Sequence, residues 1–311
     1  PFNTADVYHA YHLYIIQVAD RLGLYNYLHE NNVYAQVHYA PLHLMPYYQE
    51  TLQQYMNYQE KFYIQVSDTL AALKALAAWY RAKFDIPMVQ VTGSAGKTTT
   101  KEMIAVVLSQ RFCTLKTQAN FNNAIGTPLT LLNLAPAHQA AVIETGMNHF
   151  CEIRYLGEMV RPTIAVITNV GDAHIENLGG TRQGILQAKC EIFENLQPGG
   201  LAVLNGDDEL LSGLALPFET VLCGRHERCG VRIAQMAEHG IDGVTCTVTT
   251  GRDVYDVTIP SPGAYMIYPA AMAAAMPAGP EPMTSTSTYC TWPRSSWLNI
   301  SGVLLSRRFG D

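Results

Sequence analysis

The residues best suited to chemistry gather in the run Gly93-Ser94-Ala95-Gly96-Lys97-Thr98-Thr99, preceded by Val89-Gln90-Val91-Thr92. The pattern reads as a buried strand, a glycine turn and a helix that opens on Lys97. Glycines let the backbone curl so that several N–H groups face one point, and the helix start adds its positive dipole end. Such a cradle takes phosphate, with the Lys97 ammonium for the terminal phosphates and the Thr98 hydroxyl for Mg2+. The common P-loop would need a glycine where Val91 stands, so Gly-x-x-Gly-Lys-Thr-Thr is a shorter form.

The elements that must position this loop follow from periodicity. Ser67-Asp68 caps a helix through Leu70, Leu73, Leu76, Ala77 and Tyr80 to about Phe84, and Pro87 begins the strand into the loop. After it, Ile104, Val107, Leu108 and Phe112 form a core-facing helical stripe. Strands over 140–144, 163–168 and 201–204, with a helix over 181–196, complete an alternation. The expectation is an α/β fold: a parallel sheet flanked by helices, forming a P-loop-type nucleotide-binding domain.

In open parallel sheets ligands sit at the carboxyl ends of the strands, and here each strand ends in polar residues. Ala141-Val142-Ile143 ends in Glu144. Ile164 to Ile167 ends in Thr168-Asn169, with Asp172 and His174 shortly after. Leu201 to Leu204 ends in Asn205-Gly206-Asp207-Asp208. Glu144 stands where a carboxylate can hold Mg2+ beside nucleotide phosphates; the same position suits a carboxylate that caps a following helix. His174 fits either the site or an ordinary loop histidine.

Lys189 shares a helix face with Ile185, Ile192 and Leu196. A charged lysine there is costly to desolvate unless it reaches outward, and a buried lysine readily loses its proton.

Hydrophobic content of 48% with 15% charged residues indicates a soluble globular protein of 311 residues, long enough for two domains. A net charge of −6 argues against nucleic acid or an anionic membrane as partner. No apolar run reaches membrane-spanning length and no signal peptide is read at the start, so no membrane insertion is expected. Seven cysteines without a Cys-x-x-Cys suggest reduced thiols in a cytoplasmic protein, with Cys223 and Cys229 as ordinary residues.

Composition shifts near residue 60: twelve of the 18 tyrosines fall in residues 1–63, a segment with only two Lys or Arg. A strand is read at Leu13–Val18, a helix at Asp20–Glu30 and a strand at Val33–Tyr39. His9, His12, His38 and His43 suit half-buried strand and loop positions better than a metal cluster. The stretches His9-Ala10-Tyr11-His12-Leu13-Tyr14, Val33 to Tyr39 and Pro41-Leu42-His43 resemble the C-terminal small domain of pyridoxal-phosphate sugar aminotransferases of the DegT/StrS type. The cofactor-binding part of that family and its Schiff-base lysine have no counterpart here.

The cradle is followed by Asn120-Phe121-Asn122-Asn123-Ala124-Ile125-Gly126-Thr127-Pro128, Glu144-Thr145-Gly146-Met147-Asn148-His149, Thr168-Asn169-Val170-Gly171-Asp172-Ala173-His174, Ala188-Lys189-Cys190-Glu191-Ile192 and Asn205-Gly206-Asp207-Asp208. This ordered series resembles the central ATPase domain of the Mur ligases, in the form of the member that joins D-Ala-D-Ala to UDP-MurNAc-tripeptide.

The resemblance covers about residues 62–275 and implies an ATP-dependent amide ligase of peptidoglycan precursor synthesis. ATP phosphorylates the tripeptide carboxylate to an acyl phosphate, which the amine of D-Ala-D-Ala attacks. It implies Gly93, Ser94, Ala95, Gly96, Lys97, Thr98 and Thr99 for the triphosphate, with Asn205 also toward the nucleotide. Thr98 and Glu144 would hold one Mg2+, and His174 with a carbamylated Lys189 a second. Lys97, His174 and Lys189 would be catalytic, and Asn122 and Asn123 would meet substrate.

Departures qualify what the resemblance implies. Domains are read as 1–58 (aminotransferase-like), 59–86 (connecting helix), 87–275 (central ATP-binding) and 276–311 (irregular tail). The family's flanking domains, which grip the uridine nucleotide and bring the amine, have no match in the first and last of these. Its Pro-Gly-x-His-Asn-x-x-Asn signature, whose last Asn reaches the adenine, runs here from Pro262-Gly263 to Pro269, and Cys151 replaces a family glycine. The expectation is weak Mg-ATP binding without completed ligation. A partner-dependent nucleotide-binding fragment and an aminotransferase-derived module are the alternatives.

Overall fold

The computed structural model describes residues 68–251 and 253–276, together with 14–16, 23, 26, 27, 30, 31, 36, 37, 62–66, 298–300 and 303–308. Two compact units divide between Tyr80 and Arg81. In the first, β1 (Tyr14–Ile16), β2 (Gln36–Val37) and β3 (Phe62–Gln65) form an antiparallel sheet with β3 central. The strands read at 13–18 and 33–39 agree where they are described. Of the helix read at 20–30, residues 23, 26, 27 and 30 are helical, and the rest lies outside the described residues, as do His9, His12, His38 and His43. Helix α1 (Thr69–Arg81) starts as its cap residue dictates: Asp68 Oδ1 accepts from the N–H groups of Leu70 at 2.9 Å and Ala71 at 3.0 Å.

The second unit is built on one large sheet. Its strands are β4 (Met88–Thr92), β5 (Thr114–Lys116), β6 (Ala140–Glu144), β7 (Ile164–Ile167), β8 (Leu201–Asn205), β9 (Glu219–Gly224), β10 (Val231–Glu238), β11 (Val244–Thr250) and β12 (Asp253–Ile259). They lie in the order β5-β6-β4-β7-β8-β9-β10-β11-β12, parallel from β5 to β10 and antiparallel beyond. Within the tail read as irregular, the described residues are two more antiparallel strands, β13 (Leu298–Ile300) and β14 (Val303–Arg308), with β14 paired to β12. The rest of the tail lies outside the described residues.

The parallel strands are apolar on both faces because helices cover both. Val89, Val91, Ile164, Val166, Leu201 and Val203 face α2 (Lys97–Ser109) and α7 (Ile267–Ala274), where Ile104, Leu108, Ile267 and Met272 complete one core. The intervening Ala165, Ile167, Ala202 and Leu204 face the opposite way. There they meet Ile153 of α4 (Glu152–Val160) and Ile185 and Leu186 of α5 (Arg182–Cys190). Two short helices, α3 (Gly126–Leu131) and α6 (Glu209–Ser212), follow the loops after β5 and β8.

The helix read at 181–196 is corrected in its second half. The α-helix ends at Cys190 and tightens to a 3-10 turn over Glu191–Asn195. Its apolar stripe survives, since Ile185, Ile192 and Leu196 are all buried. Strand β4 is the topological pivot. The chain runs from it to β5 and back to β6 on one side, then crosses to β7 on the other. Doubly wound sheets bind ligands at the carboxyl ends of strands beside such a reversal.

Candidate nucleotide-binding site

The loop at the end of β4 is held from the neighbouring strand. Asn169 Oδ1 accepts from the N–H groups of Ser94 at 3.1 Å and Ala95 at 2.9 Å, and Thr168 Oγ1 donates to Ala95 O at 2.6 Å. The Gly171 N–H donates to Ser94 Oγ at 2.8 Å. Close approach explains Gly93, whose φ is 152° and where an added Cβ would stand 1.9 Å from Thr168 Oγ1. Gly96 opens α2 at φ 76°, in the left-handed region that favours glycine. Ala95, Gly96 and Thr98 are exposed, with Ser94, Lys97 and Thr99 half-buried around them.

Lys97 folds back on its own loop, its Nζ donating to Gly93 O at 2.9 Å and Ser94 O at 3.4 Å. Burial lowers its pKa below the ordinary lysine value, and the Glu144 carboxylate opposes that shift. Thr98 Oγ1 donates to Glu144 Oε1 at 3.2 Å, and Asn122 Nδ2 donates to the same oxygen at 2.8 Å. Glu144 is only 1% exposed, and its Oε2 is buried with no hydrogen-bond donor. A carboxylate whose Oε1 meets a threonine hydroxyl at a phosphate-type loop is the oxygen donor set that suits Mg2+. The Glu144 backbone N–H donates to Thr117 Oγ1 at 3.0 Å. The alternative of a helix-capping carboxylate is not what the geometry gives: α4 begins eight residues later, behind Cys151.

Lys189 is 2% exposed on α5. Burial, reinforced by the nearby positive charge of Lys97, brings its pKa down from 10.5 to about 7. Half of such an amine is uncharged near neutrality. The other predicted residues divide. His174 is exposed, at φ 62° before a 3-10 turn (Ile175–Asn177). Asn123 Oδ1 is engaged locally, accepting from the N–H groups of Ile125 at 3.1 Å and Gly126 at 2.8 Å. Asn205 Oδ1 accepts from the Asp207 N–H at 3.0 Å. Asp207 in turn gathers the Arg225 side chain and the Tyr268 hydroxyl, at 3.0 and 2.9 Å. Among the described residues no group of three His, Cys, Asp or Glu side chains is placed to hold a metal, and no helix is long and apolar enough to cross a membrane.

A buried cation beside the loop escaped the sequence reading. Lys101 is fully buried, with Nζ 2.8 Å from Thr117 O and 3.8 Å from Glu144 Oε2. The signal was present, because Lys101 lies three residues before Ile104 and seven before Leu108, on the same stripe of α2. That is the logic that singled out Lys189.

Residues 91–277 match the family described as the Mur ligase middle domain. The chain belongs to the Mur ligase family. Within it, the chain is 38% identical over 221 residues to the UDP-N-acetylmuramoyl-tripeptide–D-alanyl-D-alanine ligase of Escherichia coli, covering 68% of this chain and 47% of that one. Against the enzyme of the same name from Synechocystis it is 49% identical over 153 residues, 49% of this chain and 34% of that one. The crystal structure of MurF from Acinetobacter baumannii superposes with TM-score 0.64 at 34% identity, covering 68% of this chain and 46% of that one. MurF from Thermotoga maritima, solved in complex with ADP, gives TM-score 0.61 at 27% identity, covering 67% and 48%. This Mur ligase chain thus spans half or less of the length of these relatives. Residues 1–68 separately match the DegT/DnrJ/EryC1/StrS aminotransferase family.

Proposed function

We propose that residues 87–275 form the ATP-binding domain of a cytoplasmic ligase that joins D-Ala-D-Ala to UDP-MurNAc-tripeptide. The terminal phosphoryl group of ATP passes to the tripeptide carboxylate, and the incoming amine then displaces phosphate. The observation that carries this reading is the Thr98–Glu144 hydrogen bond at the mouth of the glycine loop. It puts an oxygen donor pair beside the place where phosphates would rest.

The chain's own residues supply the cation management that bringing two anions together requires. The loop 93–99 would receive the triphosphate, its N–H groups exchanging Asn169 for phosphate oxygens. Lys97 would leave the carbonyls of Gly93 and Ser94 for the charge developing on the transferred group. Thr98 and Glu144 would hold Mg2+, which when bound neutralises phosphate charge. Asn122, bonded to Glu144, would face substrate; the exposed His174 would meet ligand, and Asn123 would do so on releasing the Ile125 and Gly126 N–H groups. The uncharged form of Lys189 is the form that takes up CO2, and its carbamate with His174 would be the second metal site.

One observation points to weaker nucleotide binding than in the family. Pro269 is buried in α7 at the place of the family's adenine-reading Asn, and it offers no amide side chain.

The test is calorimetry with Mg-ATP on the chain and on Lys97→Ala. Saturable binding in the chain, weakened at least tenfold in the variant, is expected; equal binding by both, or none by either, overturns the reading. Phosphate release with tripeptide substrate and D-Ala-D-Ala then separates a ligase from a binding fragment.

A further inference from the structure

Charges alternate along one line from the surface inward: Lys116, Glu102, Lys101, Glu144. Lys116 Nζ pairs with Glu102 Oε2 at the half-exposed end. Lys101 Nζ lies 3.1 Å from Glu102 Oε1 and 3.8 Å from Glu144 Oε2. The inner pair is dry, with Lys101 at 0% and Glu144 at 1% side-chain exposure. An ammonium taken wholly from water is costly unless its protons find partners. Here they do: Lys101 Nζ donates to Thr117 O at 2.8 Å and to Ala119 O at 3.4 Å.

Those carbonyls belong to the segment that leads from β5 into Asn120–Asn123, and Thr117 also receives the Glu144 backbone N–H. The two Glu144 oxygens therefore have different neighbours. Oε2 faces the buried ammonium and has no hydrogen-bond donor. Oε1 faces Thr98 and Asn122.

We infer that Lys101 is a positioning residue for the metal site: it anchors the inner oxygen of Glu144 and the 117–119 backbone, so that Glu144 Oε1 is presented to Thr98 and the nucleotide. The inference rests on the proposed Mg-nucleotide site. It needs no contact between Lys101 and any ligand, because Lys101 acts through Glu144. Without the ammonium, Oε2 is buried with neither donor nor counter-charge. The carboxylate then turns toward other donors, and the 117–119 carbonyls lose their tie to α2.

The experiment is a double-mutant cycle on the full chain, read as the ratio of ADP affinity with Mg2+ to that with EDTA. Lys101→Gln is expected to cut this metal enhancement at least tenfold while leaving metal-free ADP affinity within twofold. In a Glu144→Gln background the same change is expected to alter the ratio less than twofold. A folded Lys101→Gln with undiminished enhancement, or equal losses in both backgrounds, overturns the inference.

Should Lys101→Gln not fold, the wild-type chain decides. The 15Nζ signal of Lys101, assigned through bonds from its own backbone amide, shifts when Mg2+ joins bound ADP; an unmoved signal overturns the inference. Wild-type chain without any metal enhancement would instead overturn the proposed function, so the two failures are distinct.

Discussion

Lys189 stands among Ile185, Ile192 and Leu196, and burial beside Lys97 leaves its pKa at about 7. Between about pH 7 and the ordinary lysine value of 10.5 the unfolded chain holds this proton and the folded chain does not. Stability must then rise with pH across that window, by up to about 1.4 kcal/mol per unit. Below about pH 7 both states are protonated and the cost of the buried charge is felt in full. We predict that in CO2-free buffer, denaturant unfolding from pH 7 to 9 shows the wild-type chain gaining stability relative to Lys189→Met. A constant difference would contradict the shift. The position of Lys189 was legible because helical periodicity reports which face a side chain shares. Its proximity to Lys97 was not, since that depends on how α5 and α2 approach the sheet. Thr98 and Glu144 were legible from loop spacing and strand ends. The local capping by Asn123 was not, because an asparagine near a helix start serves ligand or backbone equally well.

Helix α4 begins under strain. Cys151 takes the cap position at φ 68°, a left-handed conformation that costs a non-glycine residue about 1–2 kcal/mol. Its N–H is fixed by Glu191 Oε1 at 2.6 Å, and the Arg154 N–H by Glu191 Oε2 at 3.1 Å. The helix start cannot relax without losing a buried carboxylate's partners. We predict that Cys151→Gly stabilises the chain by about 0.5–1 kcal/mol, the glycine's extra unfolded-state freedom offsetting part of the gain; an unchanged denaturation midpoint would contradict it. At this scale the parallel strands β4, β6, β7 and β8 were legible as short apolar runs, because both of their faces are buried, whereas β5, β9 and β10, half-buried or exposed in part, were not read. The antiparallel strands β11 and β12 were not read, although Val244, Cys246 and Val248, then Tyr255, Val257 and Ile259, alternate with a period of two. Threonines fill the outward positions of β11, so the run lacks the apolar density that marked β4 or β7. The early end of α5 at Cys190 left no trace either, since a 3-10 turn can keep the same residues buried.

The molecule divides between Tyr80 and Arg81, and every strand and helix around the glycine loop belongs to the second unit. The two family matches meet this division from either side, one over residues 1–68 and the other over 91–277. We predict that a chain beginning at Asp68, which keeps α1 and its cap, binds Mg-ADP with a Kd within threefold of the full chain. Loss of binding on removing residues 1–67 would show that the first unit takes part in the site. Arg81 itself belongs to the second unit, where its guanidinium donates to Val160 O at 2.9 Å and Arg161 O at 3.2 Å. It thereby closes the carboxyl end of α4.

The packing of α2 against α7 has a consequence in time. The helix that opens the cradle is complete at Ser109, while the helix that shares its core begins at Ile267. A ribosome adding 5–20 residues per second needs roughly ten to thirty seconds to cover that interval. Throughout it, Met103, Ile104, Val107 and Leu108 have strands to lean on but only part of their final cover. The helix that opens the cradle is thus among the last to gain its full cover as the protein is made.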